Sequence, residues 1–253
     1  MSEITTIESP SGLTLYHRGP DKAKGPLPTL FYFALTGEES LTLAPIHVPT
    51  LCFDPEQTRI FSMTLPCHGS DQDPAQAMKR WADEMEQGNP ILESFLLQAL
   101  SNLDFLIEQQ WIDPEHLAVA GLSRGGFIAL HVAARDERIK HVVAYAPLTR
   151  LDFLEEFKNR MYLPLIQNLS LDHIIPQLAN KKIRFYIGNR DMRVGTVACF
   201  GILKRLVEEA YTKGSREPPI EMIISPSIGH KGHGTPEKVF REGMEWVKME
   251  RKK

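Results

Sequence analysis

The chain has 253 residues, with 29 basic side chains against 32 acidic ones and a formal net charge of −3. Hydrophobic residues make up 42% and charged residues 24%, an ordinary globular composition that sets aside disordered, fibrous and membrane-embedded classes. Such a balance supplies no broad positive field, so no nucleic-acid partner is expected.

In chain order, the opening MSEITTIESPSGLTLYHRG lacks a basic start followed by an apolar run, and no secretory signal is read there. Residues 13–17 predict an edge strand. Residues 29–35 (TLFYFAL) form a short apolar run after a Gly/Pro-rich approach, the pattern of a buried strand. Residues 59–64 predict the next strand, running into LPCHGSDQ, and the polar stretch 70–88 carries no readable pattern. Asn89-Pro90 starts a helix whose Leu92, Phe95, Leu96, Ala99, Leu103 and Leu106 share one face. Asp113-Pro114 reads as a turn. Residues 116–120 are a strand leading into GLSRGG, followed by a helix to about Ala134 and a strand over 141–146.

Residues 149–182 are helical and loop-like, the only room for a lid, and a small one. Residues 183–188 predict a strand, followed by a helix with Val197, Phe200, Leu203, Leu206 and Val207 on one face. The last strand covers 220–224. The last helix begins near Thr235-Pro236-Glu237, where Thr suits the cap and Pro the first helical position. No stretch is apolar and long enough to span a bilayer, so no membrane insertion is expected. Cys52, Cys67 and Cys199 are far apart and odd in number, which predicts no disulfide framework and a cytoplasmic location.

Alternation of apolar runs with helical patterns points to a mostly parallel sheet covered on both faces. The expected architecture is a three-layer α/β/α sandwich, one domain over residues 1–253, with a small helical lid at about 149–182. Oligomeric state is left open.

The chemistry is concentrated in GLSRGG. Glycines two residues either side of Ser123 let the backbone turn sharply from strand to helix, and the helix N-terminus directs partial positive charge at the hydroxyl. A serine hydroxyl needs a base to accept its proton, and an imidazole needs a carboxylate to orient it. Loops after later strands supply both. Asp191 in IGNRDMRVGT is the candidate acid. Either histidine of SPSIGHKGHGTP could be the base: His233 is preferred for its place just before the helix cap, with His230 as the alternative. No third ligand accompanies the two histidines, and neither metal nor cofactor is expected. Arg124, Arg190 and Arg193 could attract an anion, although structural ion pairs account for them more simply.

Strand–GLSRGG–helix, GNRD after a strand, GHG before the last helix and LPCHGSDQ together resemble the α/β-hydrolase superfamily. Within it the pattern is similar to dienelactone-hydrolase-like and prolyl-oligopeptidase-like serine hydrolases, over about residues 29–247. The resemblance implies the α/β-hydrolase fold, with Ser123 as nucleophile, Asp191 as orienting acid and His233 or His230 as base. It also implies an oxyanion held by the backbone N–H of Arg124 and by that of Leu35 or Thr36. The His-Gly common at that strand end is replaced here by Ala34-Leu35. The implied activity is cleavage of a small ester-like substrate (ester, thioester or peptide) through an acyl-enzyme. Acyl transfer, a non-catalytic binding role and C–C or peroxide chemistry on the same scaffold are the rival readings.

Overall fold

The computed structural model describes residues 3–69 and 71–250. Its strands are β1 (Thr5–Ile7), β2 (Leu15–Arg18), β3 (Leu27–Phe33), β4 (Arg59–Ser62), β5 (Ile112–Leu122), β6 (His141–Tyr145), β7 (Lys182–Gly188) and β8 (Ile220–Ser225). They form one sheet in the spatial order β1-β2-β4-β3-β5-β6-β7-β8. β2 runs antiparallel to both β1 and β4, and every pairing from β4 across to β8 is parallel. Parallel neighbours need crossovers, and the helices supply them: α1 (Gly37–Thr42), α2 (Ala77–Glu86), α3 (Ile91–Glu108), α4 (Arg124–Arg135), α5 (Pro164–Gln167), α6 (Ile175–Leu178), α7 (Thr196–Thr212) and α8 (Glu237–Glu250).

Side chains on a strand alternate between faces, so the predominantly apolar β3 serves two cores at once. Phe31 and Phe33 enter one core with Leu103 of α3, Phe127 of α4 and Ile202 of α7. Leu30 and Tyr32 enter the other with Leu41 of α1 and Phe240 and Met244 of α8. Three layers result, the α/β-hydrolase fold. Residues 149–182 lay Leu151, Leu154, Phe157, Ile166 and Leu178 into the first of these cores.

Several local expectations change. β2 is not the sheet edge, because the three-residue β1 pairs outside it. The polar stretch 70–88 contains α2, which buries Met78, Trp81, Ala82 and Met85 against α3's layer; Ser70 lies outside the described residues. Asp113-Pro114 does not end the strand. The β3–β5 register jumps from Leu27↔Ile112 to Thr29↔Leu117, and that irregularity absorbs the turn within β5. On α7 the inward face is Cys199, Ile202, Leu206 and Ala210, while Val197 and Phe200 are 83% and 52% exposed. Two apolar stripes overlapped in the sequence there, sharing Leu206, and contact with the sheet selected the one displaced by about a quarter of a turn, with Leu203 and Val207 partly buried at its margin.

Three histidines are buried as neutral rings. Burial first, and then a neighbouring arginine (Arg59, Arg124 and Arg135 respectively), lowers His17 and His68 to about 4 and His131 to about 3. Unfolding frees each to its ordinary 6.5. Between these limits the unfolded chain binds more protons, so stability falls as pH drops from about 6.5 towards 4, by up to ~1.4 kcal/mol per pH unit for each ring. The midpoint of thermal unfolding should fall between pH 7 and pH 5. His131→Gln, able to keep bonds to Leu169 O and Arg135, should make that fall shallower by about one proton's contribution.

Candidate active site

The tightest feature is the passage from β5 into α4. A Cβ on Gly121 would lie 2.1 Å from Gly125 O, and one on Gly125 would lie 1.9 Å from Phe33 O at the end of β3. Neither neighbour is a side chain that could swing away, so both positions require glycine. Between them Ser123 sits at φ 55°, ψ −116°, a strained conformation for a residue with a Cβ. Its N–H donates to Tyr145 O (2.8 Å), and its carbonyl accepts from Gly126 (3.0 Å) and Leu148 (3.0 Å). The hydroxyl is thereby held at the carboxyl edge of the sheet, at the N-terminus of a twelve-residue helix.

Asp191 follows β7 and is 4% exposed. Its Oδ1 accepts from the N–H groups of Arg193 (2.9 Å) and Val194 (3.0 Å), and its Oδ2 faces His233 Nδ1 at 2.7 Å. As an acceptor the carboxylate fixes the imidazole proton on Nδ1. Nε2 then accepts from the Ser123 hydroxyl, 2.8 Å away. The structure thus brings Ser123, Asp191 and His233 together. His230, the alternative, begins the short 3-10 turn His230–Gly232 and faces solvent. Its carbonyl, not its ring, enters the local bonding, accepting from His233 N–H (3.1 Å).

The loops after β7 and β8 are tied into one unit. Ser227 N–H donates to Asn189 Oδ1 (3.1 Å), Arg190 N–H to Ser227 Oγ (2.7 Å) and Met192 N–H to Lys231 O (2.9 Å). Thr196 Oγ1 donates to Gly188 O (2.6 Å) and accepts from Asp191 N–H (3.0 Å). Gly232, at φ 73°, would place a Cβ 2.3 Å from Arg190 O. Asn189, Thr196 and Ser227 were not singled out in the sequence. Small polar residues in loops are ubiquitous, and only the pairing of two loops distant in sequence reveals their work.

The expected oxyanion donors differ in availability. Arg124 N–H, at the first position of α4, bonds to no acceptor among the described residues, as an initial helical N–H should. Leu35 N–H donates to Ser40 Oγ (3.1 Å). Thr36 caps α1: its hydroxyl accepts from Glu39 N–H (3.0 Å), and its N–H reaches Glu39 Oε2 (3.4 Å). Among the arginines, Arg193 pairs with Glu156 of the 149–182 segment (2.9 Å), Arg190 is exposed, and Arg124 meets His68 and Pro74 rather than a carboxylate. Among the described residues, no three His, Cys, Asp or Glu side chains converge as a metal site.

The turn geometry makes a stability prediction. Gly125→Ala should lower the unfolding free energy by at least about 2 kcal/mol, because a backbone carbonyl occupies the space of its methyl. Gly201→Ala, in α7 with open space around its Cβ position, should instead raise it by roughly 0.5–1 kcal/mol. Urea denaturation of the two variants checks both signs.

Comparison with known proteins agrees with this architecture. TT1662 from Thermus thermophilus superposes with a TM-score of 0.73 at 17% identity, covering 100% of this chain and 99% of that one. A Klebsiella pneumoniae subsp. pneumoniae MGH 78578 protein assigned as a dienelactone hydrolase gives 0.66 at 16% identity, covering 98% and 96%. Porphyromonas gingivalis dipeptidyl peptidase 4 gives 0.64 at 14% identity, covering 98% of this chain but 35% of that one. No curated protein matches the chain in sequence. The model of the prolyl oligopeptidase family matches residues 97–252, more than half of the chain and the whole stretch that holds Ser123, Asp191 and His233. The chain belongs to the prolyl oligopeptidase family, and it is a hydrolase of the serine type.

Proposed function

We propose that this protein cleaves an ester-like bond through an acyl-enzyme on Ser123, with His233 as base and Asp191 as the group that orients it. One geometric feature carries this: the unbroken series from Asp191 Oδ2 through His233 to Ser123 Oγ, at 2.7 and 2.8 Å. The Ser123 proton passes to His233 Nε2 as Oγ attacks the carbonyl carbon. Collapse of the tetrahedral oxyanion breaks the bond to the leaving group, which takes that proton. A water molecule then gives a proton to His233 and adds to the acyl group, releasing the acid and restoring the serine.

Arg124 N–H, without a protein acceptor, is the first oxyanion donor. Leu35 N–H is the second. A developing oxyanion is a stronger acceptor than the Ser40 hydroxyl it now meets, so the exchange is favourable. Thr36 N–H stays with its cap. A small ester-like substrate is also in keeping with the likeness in fold to the protein assigned as a dienelactone hydrolase.

Intact-protein mass after fluorophosphonate treatment, with 4-nitrophenyl acetate turnover, checks the roles. The wild type should gain one adduct, and Ser123→Ala none. His233→Ala should lower kcat by roughly four to six orders of magnitude, while His230→Ala stays within about twofold of wild type, since its ring touches none of the reacting groups. Unchanged turnover in Ser123→Ala would remove the proposal.

A further inference from the structure

Arg124 follows the nucleophile with a charge that no carboxylate pairs among the described residues. Its Nη1 donates to His68 Nε2 (2.9 Å) and to Pro74 O (2.8 Å). His68 is fully buried, and its Nδ1 donates to Pro66 O (2.8 Å), so the nitrogen facing Arg124 is a lone pair. Burial keeps this ring neutral at pH 7. Both anchors are therefore uncharged acceptors. Glu156 is the acidic group acting on Arg124 from a distance, and it is engaged by Arg193 at 2.9 and 3.4 Å. Burial first, and then the Arg193 charge, lowers Arg124 to about 10, and Glu156 acts in the opposite sense.

The other edge of the guanidinium is unused. Nε and Nη2 have no protein acceptor among the described residues, and the side chain as a whole is only partly buried. Nε–H and one Nη2–H are parallel donors spaced for the two oxygens of a carboxylate. His68 and Pro74 hold the opposite side, so the fork is anchored rather than free to sweep. Arg124 follows Ser123 directly as the first residue of α4, so its side chain leaves the helix at the nucleophile and reaches His68 and Pro74 on the loop after β4. One uncompensated positive charge matches a singly charged carboxylate better than a phosphate monoester, which carries about −1.5 to −2.

We infer that the substrates of this protein carry a carboxylate close to the scissile bond, and that the Nε–Nη2 edge of Arg124 receives it; the inference rests on Ser123 being the nucleophile. The carboxylate can belong to the acyl part or to the leaving group. Two matched pairs separate these sources: 4-nitrophenyl hemisuccinate against 4-nitrophenyl butyrate, and 4-acetoxybenzoate against its methyl ester.

In the wild type, the acid of one pair should exceed its neutral partner in kcat/KM by at least about tenfold. Which pair responds identifies the side that carries the charge. Arg124→Met should bring that ratio close to one, and Arg124→Lys should recover part of it, since an ammonium keeps the charge without the fork. Competition on the wild type gives a second readout that does not depend on a variant's folding: monomethyl succinate should slow fluorophosphonate labelling of Ser123, and dimethyl succinate should not. Hydrolysis of the neutral esters with no preference for either acid, or a ratio untouched by Arg124→Met in a folded variant, overturns the carboxylate inference and leaves the hydrolase reading standing. Absence of both labelling and turnover in the wild type overturns both.

Discussion

The backbone of α4 approaches the ends of β3 and β5 more closely than any residue with a side chain would allow. Gly125 rests on the carbonyl of Phe33, and Gly121 rests on that of Gly125. This contact has two effects. It presses the first turn of α4 against the sheet, and it forces Ser123 into a positive φ, raising the hydroxyl above the strand ends. Strain of this kind costs about 1–3 kcal/mol and persists only where the surroundings over-determine it. They do so here through bonds from the backbone of Ser123 to Tyr145 and Leu148, on β6 and the residues after it. The nucleophile candidate is thus placed by three strands and a helix.

Asp191 and His233 are delivered differently. Each lies on a loop, and loops alone are poor at holding a side chain to within a few tenths of an ångström. The solution is mutual: Asn189, Arg190 and Met192 of one loop bond to Ser227 and Lys231 of the other, and Gly232 lets the two backbones touch. Both loops leave neighbouring parallel strands, β7 and β8, so their starting points are already in register. Backbone donors on Asp191 Oδ1 leave Oδ2 to orient the imidazole. The tautomer that can accept a proton from Ser123 follows from that single hydrogen bond.

Charge around the site is arranged with some economy. Arg193 and Glu156 neutralise one another and fasten the 149–182 segment to the loop of Asp191. Arg160 of the same segment reaches Asp83 and Glu86 on α2, at 2.7 and 2.8 Å. Among the described residues Arg124 has no such partner, and its anchors are a neutral ring and a carbonyl.

Much of this was legible locally. Runs such as TLFYFAL and HVVAY are apolar on both faces, which only a sheet covered by helices can accommodate, and GLSRGG between a strand and a helix announces its turn because only glycine tolerates the approach. The three-residue β1, the helix hidden in 70–88 and the inward face of α7 were not legible, because each depends on what a neighbouring element offers to pair with or bury. The same division holds in the site. Residue types, chain order and the strand–turn–helix context put Ser123 and Asp191 forward as candidates, since the chemistry needs a nucleophile and an acid on loops at one sheet edge. Which of His233 and His230, three residues apart in one glycine-rich loop, faces Ser123 was decided by tertiary structure: hydrogen bonds to a distant loop turn one ring inward and leave the other exposed. So too was the state of Arg124, because whether a cation is balanced depends on which groups the fold brings within a few ångströms of it.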